Sequence, residues 1–257
     1  MNAAHTHSYS GTKSRVAKAL LLLLTGLAAC NSAELDPLQR GWKMVGNELL
    51  PHAPILQQAE ESSCFWQTKQ ERGRVTISRQ AKFYQSAQEI RVETPHGSLI
   101  GTNHGEWGGT LTLSRGKAEP PEKILDQGVL RIIPVKTGFL VITGSLPRNE
   151  GTLWLYLGAI NQESKIEKKA DLHGYPLAVL ETASGIWVAN GDSIYRLDDK
   201  FNVQNAIEMP WLQLHPNSIA EDKRGAVYVG MQAFVVRLMP ARSGYMSEWF
   251  AGDGCLR

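Results

Sequence analysis

The chain has 257 residues and a formal net charge of +2, with 27 Lys and Arg against 25 Asp and Glu. Three of the basic residues lie within the first 29 positions, so the rest of the chain carries 27 − 3 = 24 basic against 25 acidic residues, a formal charge of −1. Because no concentrated positive charge remains to contact a phosphate backbone, these numbers exclude nucleic acid as an expected partner.

The N-terminal segment has the features of an export signal. Lys13, Arg15 and Lys18 precede an apolar run over residues 19–29, and no acidic residue occurs before Glu34. A run of this length is too short to span a membrane as a helix and is typical of the hydrophobic part of a secretory signal peptide. We therefore predict that residues 1–29 are a signal peptide and do not belong to the folded domain.

The apolar run ends in Leu27-Ala28-Ala29-Cys30, which resembles a bacterial lipobox. The resemblance implies cleavage before Cys30, a diacylglycerol on its sulfur and a membrane anchor, since each buried acyl methylene contributes about 0.8 kcal/mol. The alternative is an ordinary signal peptide cleaved after the same small residues.

The position after the cysteine is Asn31 rather than Asp. By resemblance to lipoproteins of enterobacteria, this implies the periplasmic side of the outer membrane rather than the inner membrane. Residues 30–41 then form a lipidated tether, and residues 42–257 form the folded domain.

Two cysteines remain once Cys30 is assigned to lipid. Cys64 and Cys255 are an even pair in a chain that we expect to be exported to an oxidising compartment. We predict a disulfide between them, and the alternative is two free or buried thiols.

Residues 42–84 are the least repetitive part of the folded domain. Pro54–Glu61 fits a short helix with proline at its first position, and a loop fits almost as well. Cys64–Thr68 and Arg74–Ser78 are rich in β-branched and aromatic residues and are separated by a turn at Glu71-Arg72-Gly73, which predicts a hairpin.

From Glu89 onward the same pattern occurs four times: an inner strand, a leading glycine, a mostly apolar strand, a turn and an alternating strand. The leading glycines, Gly97, Gly138, Gly185 and Gly225, are separated by 138 − 97 = 41, 185 − 138 = 47 and 225 − 185 = 40 residues. A repeat of roughly 40 to 45 residues made of short strands is typical of β-propeller blades. We therefore predict an all-β fold, a β-propeller of about five blades.

Four repeats leave one blade to be formed by the two ends of the chain. We predict that residues 42–84 and Tyr245–Ala251 contribute its strands. Pairing of the N- and C-terminal strands would close the propeller and remove an exposed sheet edge. The same arrangement would bring Cys64 close to Cys255.

The segment Pro216–Asp222, followed by Gly225–Gly230, resembles NHL and SMP-30-like propellers, in which an acidic pair precedes glycine, a hydrophobic residue and Tyr-Val. Enzymes of the SMP-30 type are lactonases or organophosphate hydrolases that hold calcium at the propeller axis. Side chains that would supply oxygen ligands to calcium occur at Glu106, Asn190, Asp192, Asn217 and Asp222. The family's N-terminal Glu motif and its Asn-Arg segment are not recognisable, so we assign no metal site.

The segment Asn103–Gly109 interrupts a hairpin with three glycines, an imidazole, a carboxylate and an indole. A turn that served only folding would use a simple Asn-Gly or Asp-Gly pair. We predict a ligand-binding site at one end of the propeller, formed by Asn103, His104, Glu106 and Trp107. The alternative is a bulged turn whose glycines adopt positive φ and whose tryptophan caps a blade.

Together these features favour a lipid-anchored protein of the bacterial envelope that binds an envelope protein or a small ligand and has no chemistry of its own. The alternative is a calcium-dependent hydrolase or lactonase of the SMP-30 type. The first function expects no cofactor, whereas the second requires calcium.

Overall fold

The computed structural model describes residues 42–46, 53–80, 88–116, 118–160, 163–183, 185–208 and 214–256. The predicted signal peptide, the lipobox-like sequence and the tether lie outside the described residues. All described residues belong to one compact unit, Pro37–Arg257. Within the described ranges, no helix has both the length and the apolar character that a membrane span requires.

The described part of the chain is mostly β-structure, with one α-helix, α1 (Ala53–Glu60), and one short 3-10 helix (Gly105–Trp107). The helix lies where the sequence predicts one. The strands in chain order are β1 (Trp42–Gly46), β2 (Phe65–Glu71), β3 (Arg74–Gln80), β4 (Gln88–Thr94), β5 (Gly97–Asn103), β6 (Leu111–Ser114), β7 (Glu122–Leu125), β8 (Gly128–Val135), β9 (Gly138–Ser145), β10 (Glu150–Ile160), β11 (Glu163–His173), β12 (Pro176–Thr182), β13 (Gly185–Asn190), β14 (Ser193–Leu197), β15 (Val203–Glu208), β16 (Ser218–Glu221), β17 (Val227–Gly230), β18 (Phe234–Ala241) and β19 (Gly244–Gly252).

The strands form four antiparallel meanders and one separate hairpin. The sets β4–β7, β8–β11, β12–β15 and β16–β19 each pair in sequence order, and β2 pairs with β3. Successive four-stranded meanders of this kind are the blades of a propeller. The fold is therefore all-β and propeller-like, as the repeat predicts, and the number of blades and the closure of the ring stay predictions.

Apolar side chains fill the space between neighbouring meanders. Three buried clusters each draw members from two successive meanders, for example Leu113 with Val141, Leu153 with Val188, and Trp187 with Val229. The second strands β9, β13 and β17 are almost wholly apolar because both of their faces contact such clusters, whereas β5 contributes only Leu99. Burial on this scale is the main favourable term in folding.

One part of the prediction for the chain ends is wrong. Tyr245–Ala251 does not join residues 42–84 in a separate blade, because β19 pairs with β18 along its whole length and completes the fourth meander. The two-residue turn at Arg242 and Ser243 explains this, since so short a turn forces the strands that it joins to pair. β1 then pairs with the outer side of β19, with Trp42 opposite Gly252, so the first and last strands pair as expected.

The β2–β3 hairpin packs against the fourth meander. Trp66, Val75 and Ile77 contact a buried cluster that contains Tyr228 and Phe250. The Thr68 backbone N–H donates to Ser218 Oγ at 2.8 Å, and the Thr68 hydroxyl donates to the Tyr228 carbonyl at 3.2 Å. The hairpin is therefore held beside β16 and β17 by both apolar packing and hydrogen bonds.

The structure contains the disulfide predicted between Cys64 and Cys255, with 5.6 Å between their Cα atoms. Cys64 lies between α1 and β2, Cys255 follows β19, and both side chains are buried. The Cys64 carbonyl also accepts a hydrogen bond from the Ala233 N–H at 2.9 Å. The bond therefore joins the N-terminal part of the domain to its last strand.

Candidate functional site

The loop of residues 104–110 connects β5 to β6. Its 3-10 turn is closed by hydrogen bonds from the His104 N–H to the Gly108 carbonyl at 2.7 Å and from the Gly108 N–H to the Gly105 carbonyl at 3.1 Å. Gly105 and Gly108 have φ angles of 64° and 75°. Glycine adopts such angles at little cost, so these two positions let the loop turn without backbone strain.

The Asn103 side chain holds the start of loop 104–110 in place. Its side chain is buried, its Oδ1 accepts a hydrogen bond from the Gly105 N–H at 3.0 Å, and its Nδ2 donates to the Tyr175 hydroxyl at 3.0 Å. Burial raises the pKa of Tyr175, and the Asn103 hydrogen bond acts in the opposite direction. Both ends of the Asn103 amide are therefore engaged within the protein.

The other three predicted site residues, His104, Glu106 and Trp107, are exposed to solvent. The Trp107 side chain is 89% exposed, whereas the other exposed large hydrophobic residues that the structure describes, Met44, Met246 and Val203, are 56%, 55% and 41% exposed. The ring therefore does not cap a blade. A large aromatic surface in water is costly unless it contacts another molecule, and exposed tryptophans are frequent anchors of binding sites.

A shallow pocket of about 210 Å³ opens beside this loop. Glu106 lines it together with Asp126, Arg148 and Glu150 from the second meander and the connection that leads to it. Lys123 lies 3.6 Å from Asp126 and partly neutralises it. With three carboxylates and one guanidinium, the pocket is best suited to a ligand group that carries positive charge.

Two of the residues that could supply oxygen ligands to calcium in the SMP-30 alternative are engaged in turns. Asn190 Oδ1 accepts from the Asp192 and Ser193 N–H groups at 3.2 and 2.7 Å, and Asp222 Oδ1 accepts from the Arg224 and Ala226 N–H groups at 2.8 and 2.9 Å. Asn190 ends the second strand of its meander and Asp222 follows the first strand of the next, so these turns lie at opposite ends of the strands. Within the described ranges, no three His, Cys, Asp or Glu residues are grouped as a metal site.

Sequence reasoning missed a larger cavity, of about 500 Å³, between the meanders. Its lining runs from Gln67 in β2 to Ile219 in β16, and strands β4, β5, β8 and β12 also contribute. No short motif could have revealed it, because its lining residues are spread over about 150 positions. The sequence does show where the inner strands lie, because each of them precedes a leading glycine, and these strands line part of the cavity.

Comparisons with protein-family models and with curated proteins find no match. Comparison with solved structures finds nine matching chains. One of them, the AfRom2 CNH domain, is 9% identical, and the alignment covers 75% of this chain and 94% of that chain with a TM-score of 0.25. This likeness is too low to add to the description of the fold, which rests on the strand pairings of this chain.

Proposed function

We propose that the protein is a lipid-anchored binding propeller of the bacterial envelope, and that it captures its ligand at the end where loop 104–110 lies. The observation that carries this proposal is the 89% exposed ring of Trp107, which stands beside the acidic pocket. An aromatic anchor next to a pocket in which carboxylates outnumber cations fits a partner that offers an apolar surface together with a cationic group.

Rigidity supports the same role. The loop backbone is held by its own hydrogen bonds and by Asn103, which is buried beneath it. A loop that is ordered before binding loses less conformational entropy when the ligand arrives, so more of the contact energy appears as affinity. The meanders beneath the loop supply a scaffold that does not need to rearrange.

Replacing Trp107 with alanine should weaken ligand capture by about tenfold or more, because truncating an aromatic anchor costs about 2 kcal/mol of binding energy. The melting temperature should be nearly unchanged, because the ring contributes little to the core. Glu106→Ala should weaken capture less. The measurement is quantitative mass spectrometry of envelope proteins retained by immobilised wild type and variants, followed by binding curves for each retained protein.

Met246→Ala is the matched control, because Met246 is an exposed large apolar residue on β19, away from the loop. Proteins retained by wild type and by Met246→Ala but lost from Trp107→Ala support the proposal. If Trp107→Ala retains the same proteins as wild type with the same affinity, the loop is not the binding site. A large fall in its melting temperature would assign the ring to folding instead.

The lipid anchor has its own test. Cys30→Ser should abolish incorporation of labelled palmitate and leave an uncleaved precursor, because the sulfur that accepts the lipid is removed. Cys255→Ser is the control, and it should still incorporate palmitate because Cys30 remains. Palmitate entering Cys30→Ser, or its absence from wild type, would contradict the lipid anchor and leave the binding site of loop 104–110 to be judged on its own experiment.

A further inference from the structure

The 500 Å³ cavity between the meanders is lined by all five sheets of the described residues. Small-ligand sites typically have volumes of about 300–1,000 Å³, so the cavity has the size of such a site. It is larger than the pocket beside loop 104–110 and involves neither Trp107 nor Glu106.

Carboxamide side chains dominate the polar part of its lining. Asn103 is engaged with Tyr175 and with its own loop, as described above. Five further carboxamides line the cavity, and they are Gln67, Gln70, Gln80, Gln88 and Asn217. A carboxamide both donates and accepts hydrogen bonds, as does a hydroxyl group. A cluster of them therefore suits a ligand with several hydroxyl groups better than it suits a simple ion.

Asn217 has an unsatisfied amide. Both its Oδ1 and its Nδ2 are buried and without a hydrogen-bond partner, while its backbone N–H is held by the Gly230 carbonyl at 2.9 Å. Buried polar groups are rarely left unpaired, because removing them from water without a new partner costs free energy. Asn217 is partly exposed at the cavity wall, but its two amide atoms are sealed from solvent. The amide is therefore not counted among the groups that contact a ligand in the cavity.

Backbone groups add to the hydrogen-bonding capacity. β8, β12 and β16 are edge strands of their sheets, and consecutive residues of each, 130–131, 177–179 and 218–219, line the cavity. Because neighbouring residues of a strand point to opposite faces, consecutive lining residues mean that the strand edge is turned toward the cavity as well as some of the side chains. An edge strand presents N–H and C=O groups that need partners.

The charge and the apolar surface of the lining further restrict the chemical class of ligand that the cavity can bind. Lys69 and Arg131 contribute two cations against the single carboxylate of Glu71, so the lining has a formal charge of +1 from these three residues. Leu177 and Val179 contribute apolar surface. The ligand that matches this lining is hydroxyl-rich, has an apolar face and carries one negative charge.

We propose that the cavity binds an acidic monosaccharide, the chemical class of the hexuronates. Its hydroxyl groups pair with the carboxamides and the strand edges, its carboxylate faces the side of Lys69 and Arg131, and its ring carbons contact the aliphatic side chains. The cavity shares Asn103 with the base of loop 104–110, but its test uses neither Trp107 nor Glu106 as a ligand contact, so each proposal can fail without the other.

The test is isothermal titration of the mature protein, purified in detergent, with glucuronate, glucose and cyclohexanecarboxylate. Glucuronate should bind saturably with one site per chain. Glucose should bind more weakly because it lacks the charge, and cyclohexanecarboxylate should not bind because it lacks the hydroxyl groups.

Arg131→Ala should weaken glucuronate binding by about tenfold, the loss expected when one cationic contact to the ligand carboxylate is removed. Its melting temperature should be nearly unchanged, because Arg131 is exposed. Arg242→Ala, which changes an exposed arginine in the turn between β18 and β19, is the matched control and should bind as wild type. Trp107→Ala should also bind glucuronate normally.

Absence of saturable glucuronate binding overturns the proposal, as does equal binding of cyclohexanecarboxylate. So does an Arg131→Ala variant that binds glucuronate as tightly as wild type. Tighter binding of glucose than of glucuronate would overturn the charge assigned to the ligand and with it the acidic class.

Discussion

Gly138→Ala should destabilise the domain by about 2–6 kcal/mol, combining about 1–3 kcal/mol for steric overlap in a packed region with about 1–3 kcal/mol for a strained backbone. Gly138 opens β9 with a φ angle of 146°, and a Cβ atom there would overlap the Tyr156 carbonyl oxygen of β10. That oxygen belongs to a paired strand, so it cannot move aside without disturbing the ladder between β9 and β10. Urea denaturation of wild type and variant measures the difference.

Gly225→Ala is the matched control, because Gly225 leads the fourth repeat in the same way. Its φ angle is 79°, but a Cβ atom would meet nothing closer than Pro240 Cγ at 3.6 Å. Only backbone strain remains, so the cost should be about 1 kcal/mol. If the two variants lose equal stability, steric overlap at Gly138 is not the cause and the assignment is wrong.

The steric requirement at Gly138 explains why the repeat was visible in the sequence. Gly97 and Gly185 have φ angles of 129° and 135°, and a Cβ atom at either would overlap the carbonyl oxygen of Ser114 or Leu197 on the third strand of its meander. The first three meanders thus require glycine at the same point for the same reason. Local sequence reasoning succeeds here because the requirement is local and recurs.

The pairing of the chain ends was predicted only in part, because it depends on contacts that are neither local nor repeated. The alternation of Tyr245–Ala251 predicts a strand, but the choice of its neighbour depends on the length of the turn before it and on the contacts of β1 and β19. Counting repeats favoured a shared blade, whereas the short turn at Arg242 and Ser243 fixed the strand to β18. The length of this turn is visible in the sequence, and it determines the partner of β19 more directly than the number of repeats does.

The candidate sites also combine features that the local sequence predicts with features that depend on contacts between distant residues. The glycines and the indole of residues 103–109 predict an exposed loop, and Trp107 is exposed. The sequence could not predict that Asn103 would donate to Tyr175, which lies 72 positions later, because contacts between meanders depend on how the sheets pack. The 500 Å³ cavity between the meanders forms only where all five sheets meet. The alternation of apolar and polar residues along one strand does not show which sheets will meet.

Removing the Cys64–Cys255 disulfide should lower the free energy of unfolding by up to about 5 kcal/mol, the value that loop entropy gives for a very long closed loop. The two cysteines are separated by 191 positions, so the bond greatly restricts the unfolded chain. A Cα separation of 5.6 Å is ordinary for a disulfide. The measurement is denaturation of wild type and of the Cys64→Ala, Cys255→Ala double variant, with intact mass to show that oxidised wild type is two hydrogens lighter than the reduced protein.

The double variant also tests what holds the chain ends together. β1 pairs with β19 through its backbone, at residues that do not include either cysteine. We therefore expect the variant to keep its native strand content while it unfolds at lower denaturant concentration. Wild type treated with reductant should unfold like the double variant, because the same constraint on the unfolded chain is lost. Equal unfolding free energies for oxidised wild type and the double variant, or two free thiols in the purified protein, would contradict the prediction. A variant that loses β1 pairing would show instead that the bond defines the native position of the N-terminal strand, beyond its effect on the unfolded chain.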